Sequence, residues 1–208
     1  MALDLEEQEQ VDQLKALWKK YGDYVTRGAI AFFVLYGLFQ GWGYYQNKQS
    51  LAASELYQGI TVLDEKNTKE IVEKSQRLID EYSGTPYAGR AAILFAKASY
   101  QEGHKDKAKE KLEWASRHAK ESATESIALI QLGQILLEEK KYDEALKKAN
   151  AVDNEGYLGL SNDLKGDVLN AMGKKEDAKK AYLEALKRFG PKDAYARFTQ
   201  EKLESLGV

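Results

Sequence analysis

Two histidines, His104 and His118, are the side chains in this sequence best suited to proton transfer near neutral pH or to holding a metal ion. They stand fourteen residues apart, one in a predicted turn and one late in a predicted helix, with no further ligand at metal spacing beside either. Both read as surface residues. The paired acids Glu138-Glu139 and Glu176-Asp177 have the composition of a general acid–base couple, but they fall in or next to turns on polar faces, where solvation accounts for them. The absence of cysteine excludes a thiolate nucleophile, a disulfide framework, an iron–sulfur cluster and any thiolate zinc site. No glycine-rich phosphate loop, nucleophile elbow or HExxH motif occurs. A balance of 31 basic against 33 acidic residues, with no lysine–arginine cluster, offers no surface for a polyanion and excludes nucleic acid. The expectation is therefore no enzyme, no cofactor and no metal. The chemistry left to the chain is binding.

Binding faces have to be held by elements, and here the elements are helices: only two prolines occur in 208 residues rich in Ala, Leu, Glu and Lys. The segment from Leu129 to Val152 and the segment from Asn162 to Leu186 align Gly133 with Gly166 and Ala145 with Ala178, both 33 residues apart. An earlier copy, Ile93 to Ala115, aligns Ala96 with the glycines and Ala108 with the alanines at an offset of 37. Small residues recur where the two helices of a hairpin cross closely and a larger side chain would force them apart. Turn signals at Gly103-His104-Lys105, Lys140-Lys141 and Gly173-Lys174-Lys175 join the helices of each repeat. Tyr182, Ala185 and the Gly190-Pro191 break match the last copy of a tetratricopeptide-like repeat, although the tryptophan usual near the start of such repeats is missing. Residues 49–63 and 69–81 predict a less regular first hairpin, and 193–206 a capping helix. Hairpins of this kind stack into a curved solenoid whose concave face is lined by the first helix of each pair.

Counting from the aligned small residues places Arg90, Ile93, Lys97 and Tyr100 on that face, then Ile127, Ile130, Gln134 and Leu137, then Leu160, Asp163, Asp167 and Asn170. Apolar middles between a basic start and an acidic end suit extended or partly folded segments of varied sequence, while each aliphatic position also has the character of core. The lysine–asparagine set that grips a terminal carboxylate in cytosolic chaperone adaptors is not present.

From Gly28 to Asn47 the chain reads GAIAFFVLYGLFQGWGYYQN without a charge. Twenty helical residues rise about 30 Å, the thickness of a bilayer's hydrocarbon core, and aromatic residues flank both ends, so an uncleaved transmembrane anchor is expected. The long acidic leader does not fit a cleaved signal peptide. Lys15, Lys19, Lys20 and Arg27 precede the segment and Lys48 alone follows closely, which predicts a cytoplasmic N-terminus. Gly37 and Gly41 form a small-xxx-small pair through which such a helix packs on another. The expected organisation is a leader over residues 1–27, the anchor over 28–47 and a repeat domain over 48–208. Val11 to Val25 of the leader predicts an amphipathic helix, suited to regulation or turnover, or to resting Leu14, Leu17 and Trp18 on lipid.

The order of these elements, with the junction GWGYYQNKQSLAASELYQ (Gly41–Gln58), the stretch PYAGRAAILFAKASY (Pro86–Tyr100) and the block DLKGDVLNAMGKKEDAKKAY (Asp163–Tyr182), resembles the YfgM family of bacterial inner-membrane proteins over nearly the full length. The resemblance implies an all-α protein, an ancillary subunit of the SecYEG translocon. It also implies a single inner-membrane span and a periplasmic tetratricopeptide-like domain. That domain would work beside a membrane-anchored chaperone of the prolyl-isomerase type and help handle unfolded secretory or outer-membrane clients. The same anchored-repeat physics would equally serve a scaffold that assembles another envelope complex.

Overall fold

A computed structural model describes residues 5–190 and 193–207. The leader's first four residues and Pro191 of the expected Gly190-Pro191 break lie outside the described residues. The described chain is helical: α1 (Leu5–Thr61), α2 (Thr68–Glu81), α3 (Pro86–Gln101), α4 (Lys105–His118), α5 (Ser122–Glu138), α6 (Tyr142–Asn150), α7 (Leu158–Ala171), α8 (Lys175–Arg188) and α9 (Ala194–Ser205), with a short 3-10 turn at Glu155–Tyr157. It divides into two compact units, Met1–Lys48 and Gln49–Val208.

In the first unit, α1 runs unbroken through the uncharged segment, and Phe32, Phe33, Leu35, Leu38 and Phe39 are each more than half exposed. A Cβ added at Gly37 or Gly41 would meet nothing within 4 Å. Among the described residues, no helix is long and apolar enough to cross a membrane. The segment lacks charge but is not uniformly apolar. The strongly apolar side chains concentrate between Ala29 and Phe39, whereas Gln40, Gln46 and Asn47, with Tyr44, Tyr45, Gly41 and Gly43, dilute the remainder.

The second unit is built of hairpins whose turns share one construction. Gly103, Lys140 and Gly173 each adopt a left-handed conformation, with φ of 82°, 59° and 76°. In each turn, the N–H of that residue donates to the carbonyl three residues earlier (Tyr100, Leu137, Asn170), and the next N–H donates to the carbonyl five earlier (Ser99, Leu136, Leu169). Carbonyls left open by the ending helix are thereby satisfied. Glycine adopts this conformation without a Cβ clash; Lys140 holds it at a cost of about 1 kcal/mol.

Packing follows the small residues. Ala108, Ala145 and Ala178 are fully buried. At Gly166 on α7 an added methyl would run into the ring of Tyr182 on α8, the close crossing within one hairpin that the repeat predicts. Gly133 differs: its tightest neighbour is Leu164 on the following hairpin, 2.7 Å from an added Cβ, so this glycine sets the spacing between repeats. A central cluster of Leu112, Ala128, Leu132, Leu136, Leu164 and Val168 runs through the stack. Ala53 and Ile60 of α1 join Leu78 and Ala91 in a second cluster, which closes the irregular first hairpin. Each fully buried leucine contributes about 1.5–3 kcal/mol.

Candidate functional site: a strapped groove between two parallel helices

Helices α3 and α5 run in the same direction, and polar straps join them at both ends. At their N-terminal ends the Arg90 guanidinium grips Glu121 bidentately, Nε to Oε2 at 2.8 Å and Nη2 to Oε1 at 2.5 Å, and Thr124 donates to the same carboxylate. At their C-terminal ends Tyr100 donates its hydroxyl to Glu138 at 2.7 Å, and Lys105 of α4 donates to Glu138 at 2.8 Å. Lys109 of α4 donates to Glu139 at 2.5 Å. These bonds hold the carboxyls of Glu121, Glu138 and Glu139 below the usual carboxylate range, with Arg90, Lys105 and Lys109 respectively the leading cause.

That lowering has a pH consequence. A carboxylate whose folded pKa is depressed contributes stability above its unfolded value, and the contribution fades as pH falls through the folded value. Stability of the repeat domain is expected to drop below about pH 4. A denaturant titration at pH 5 and pH 3 checks this, and Glu121→Gln, already uncharged, should show a smaller drop than the native chain.

Two hollows lie on the α3–α5 surface between the straps. The first, of 390 Å³, has Ala96, Leu112 and Ile135 as its apolar lining and Lys97, Tyr100, Gln101, Gln131, Gln134 and Glu138 as its polar lining. The side-chain amides of Gln101, Gln131 and Gln134 make no hydrogen bond among the described residues. The second, of 340 Å³, is lined by Arg90, Ile93, Leu94, Ile127 and Thr124, with Tyr57 and Tyr157. An extended peptide presents an N–H and a C=O per residue, and a carboxamide can answer both. An apolar floor between amides thus accepts main chain and side chain together without demanding one sequence.

The twelve residues counted onto this face have separate fates. Arg90, Ile93, Lys97 and Tyr100 of α3 line the hollows, as do Ile127 and Gln134 of α5. Arg90 and Tyr100 are nevertheless tied to Glu121 and Glu138, and Lys97 pairs with Glu65 at 2.6 Å. Ile130, only 6% exposed, belongs to the core, and Leu137 and Leu160 pack against that core. On α5 the wall runs through Ile127, Gln131, Gln134 and Glu138, one residue on from the expected face at two of the four positions. Asp163 and Asp167 are not an open acidic end. Helix α9 covers them: Lys202 donates to both carboxylates at 2.7 Å, Thr199 donates to Asp163 at 2.7 Å and Tyr182 donates to Asp167 at 2.8 Å. Asn170 remains exposed near the end of α7. Counting did not find Gln101, Gln131, Glu121, Glu138, Tyr57 or Tyr157, and the periodicity of α5 taken one residue later would have supplied two of them.

No group of three or more metal-ligating side chains occurs among the described residues. His118 sets Nδ1 against the carbonyl of Trp114 at 2.9 Å and stacks on that indole, while His104 stands 3.5 Å from Glu102.

A stack of helical hairpins that keeps small residues at its crossings and a shallow groove on its first helices defines a tetratricopeptide-like scaffold, and the family model described as a tetratricopeptide repeat-like domain matches residues 15–208. The chain is 32% identical over 221 residues, covering 99% of its length and all of the relative's, to a Neisseria gonorrhoeae protein named ancillary SecYEG translocon subunit. Proteins of the same name from Aggregatibacter actinomycetemcomitans (26% identical, 91% of this chain and 93% of the relative) and Escherichia coli (22%, 97% of each) are similar over comparable lengths. The chain belongs to the family of ancillary SecYEG translocon subunits with a tetratricopeptide repeat-like domain.

Proposed function

We propose that this chain is a membrane-anchored, non-enzymatic ancillary subunit of the Sec translocon that links the channel to a periplasmic chaperone and helps handle emerging secretory or outer-membrane proteins. The observation that carries the reading is near-full-length similarity to relatives bearing that name, joined to a groove whose lining suits main chain of varied sequence. Anchoring is supported by the uncharged segment Gly28–Asn47, whose phenylalanines and leucines have no protein cover in the first unit, and by tryptophan and tyrosines at its ends. The excess of Lys15, Lys19, Lys20 and Arg27 over Lys48 supports a cytoplasmic leader and a periplasmic repeat domain at the inner membrane. Gly37 and Gly41 offer the close backbone approach that a neighbouring membrane helix requires. A membrane-anchored chaperone of the prolyl-isomerase type is the partner assigned to the repeat domain, and non-native segments are assigned to its groove.

Co-purification of the full chain from native membranes, read by mass spectrometry, tests this against a chain carrying a foreign span in place of Gly28–Asn47. Channel subunits and a periplasmic chaperone are expected with the native chain, and the channel alone is expected to be lost from the swapped one. Gln131→Arg with Gln134→Arg should spare the fold and lower client recovery several-fold. Recovery of a different envelope complex without the channel would overturn the reading in favour of an assembly scaffold.

A further inference from the structure

The two hollows between α3 and α5 follow one another along the helices, and their lining repeats. On α3, Ile93 of the second hollow and Tyr100 of the first are seven residues apart, as are Ile127 and Gln134 on α5. Seven helical residues rise about 10.5 Å. A guest lying along the helices therefore meets a second hollow at that interval. An extended strand returns a side chain to the same side after about 6.6 or 13 Å, and its third residue points away. A polyproline II chain has three residues per turn and a rise of about 3.1 Å, so positions three apart share a side at about 9.3 Å. Two such side chains reach both hollows with only about 1 Å to absorb. A helical guest matches the interval at seven residues, but its backbone bonds are already closed. It would cover the amides of Gln101, Gln131 and Gln134, which make no other hydrogen bond among the described residues, without offering them a partner.

The second hollow selects further. Tyr57 and Tyr157, each partly buried, wall it beside Ile93, Leu94 and Ile127, and Tyr87 packs on Tyr57 with ring centres 5.6 Å apart. The hydroxyls of Tyr57 and Tyr157 make no hydrogen bond among the described residues. Both oxygens of Glu121 are engaged by Arg90. The hollow thus has donors to spare and no free carboxylate to receive an incoming N–H. Proline brings a carbonyl without an N–H, packs its ring on aromatic faces and holds φ near the polyproline II value. The same accounting rejects charge. Arg90 pairs with Glu121, Lys97 with Glu65 and Glu138 with Lys105, so the charges of the lining are already answered.

We infer that this groove binds uncharged segments in the polyproline II conformation, seating a proline against Tyr57 and Tyr157 and a second apolar side chain, three residues away, over Ala96 and Ile135. The inference deepens the proposed function and rests on it only in taking this groove as the site for guest chains.

Fluorescently labelled, capped and uncharged peptides, titrated against the full chain in detergent and read by polarisation, test it. A peptide with two prolines three residues apart is expected to bind several-fold more tightly than one with prolines four apart, or one with alanine in place of both. Tyr57→Phe with Tyr157→Phe keeps both rings and removes the donors, and should cancel most of that advantage with the urea midpoint unchanged. Equal affinity for the three peptides, binding of none, tighter binding at the four-residue spacing, or an advantage that survives loss of both hydroxyls would overturn the inference. The loss of clients expected from Gln131→Arg with Gln134→Arg is scored separately on native membranes. If that loss occurs while the peptides bind alike, the groove remains the guest site and the polyproline II assignment falls; if the arginines also leave client recovery unchanged, both fall.

Discussion

Gly166→Ala should lower the stability of the repeat domain by about 3 kcal/mol, the upper part of the range for forcing one extra carbon into a closed site. The added methyl meets the ring of Tyr182 at a distance no pair of carbons tolerates, and that ring is itself 1% exposed. Moving the ring also strains its hydroxyl bond to Asp167, so the damage reaches α9 through Lys202. A urea titration followed by helical circular dichroism measures the effect as a shift of midpoint. Because the clash belongs to one pair, adding Tyr182→Leu should recover part of the loss, and the two changes together should cost less than their separate effects combined. An unchanged midpoint in Gly166→Ala would mean that the hairpin crossing is looser than the packing indicates.

The second large effect is expected from Lys202→Met. Lys202 bridges Asp163 and Asp167, and its removal leaves two neighbouring carboxylates under α9 with no cation between them. Breaking a fully buried ion pair costs 3–5 kcal/mol; with the Lys202 side chain 37% exposed, a loss of about 2 kcal/mol at neutral pH is expected. The sign of the pH dependence is diagnostic. Burial already holds the Asp167 carboxyl above its ordinary range, helped by the nearby charge of Asp163 and opposed by Lys202. An acid with a raised folded pKa destabilises the fold once it ionises, and without Lys202 that penalty grows. The deficit of the variant should therefore shrink as the solution is acidified and the Asp167 carboxyl, held above its ordinary range, takes up its proton. This is opposite in sense to the acid loss at Glu121, Glu138 and Glu139, and the two can be separated by titrating native and variant chains side by side.

What could be read from the residues was what local rules govern. Gly103, Lys140 and Gly173 mark turns because each hairpin needs one left-handed residue there. The alignment of Gly133 with Gly166 exposes the repeat because only small side chains fit there, against the hairpin partner Tyr182 at Gly166 and against Leu164 of the next repeat at Gly133. The groove was less legible for a geometric reason: which face of α5 looks outward depends on how the helices are rotated against each other, and a one-residue rotation replaces Ile130 and Leu137 with Gln131 and Glu138. The straps were out of reach, since Arg90 and Glu121 are distant in sequence and nothing in either neighbourhood specifies the other. Asp163 and Asp167 looked like the acidic end of an open face because their cover, α9, follows the whole solenoid in the chain.

The straps at the two ends of α3 and α5 also determine how a guest chain would be held. With Arg90 fixed to Glu121 and Tyr100 fixed to Glu138, the walls lose little further freedom when a segment enters. Nearly all of the entropic cost then falls on the guest, at roughly 1–2 kcal/mol of backbone freedom for each residue brought to order. The hollows span only a few residues, and the charged groups in their lining, Arg90, Glu121, Lys97 and Glu138, are already paired, so contact energy for a guest and its ordering cost would nearly cancel. On the function proposed above, occupancy of such a groove would be brief, and a chain passing along it would be retarded without being captured.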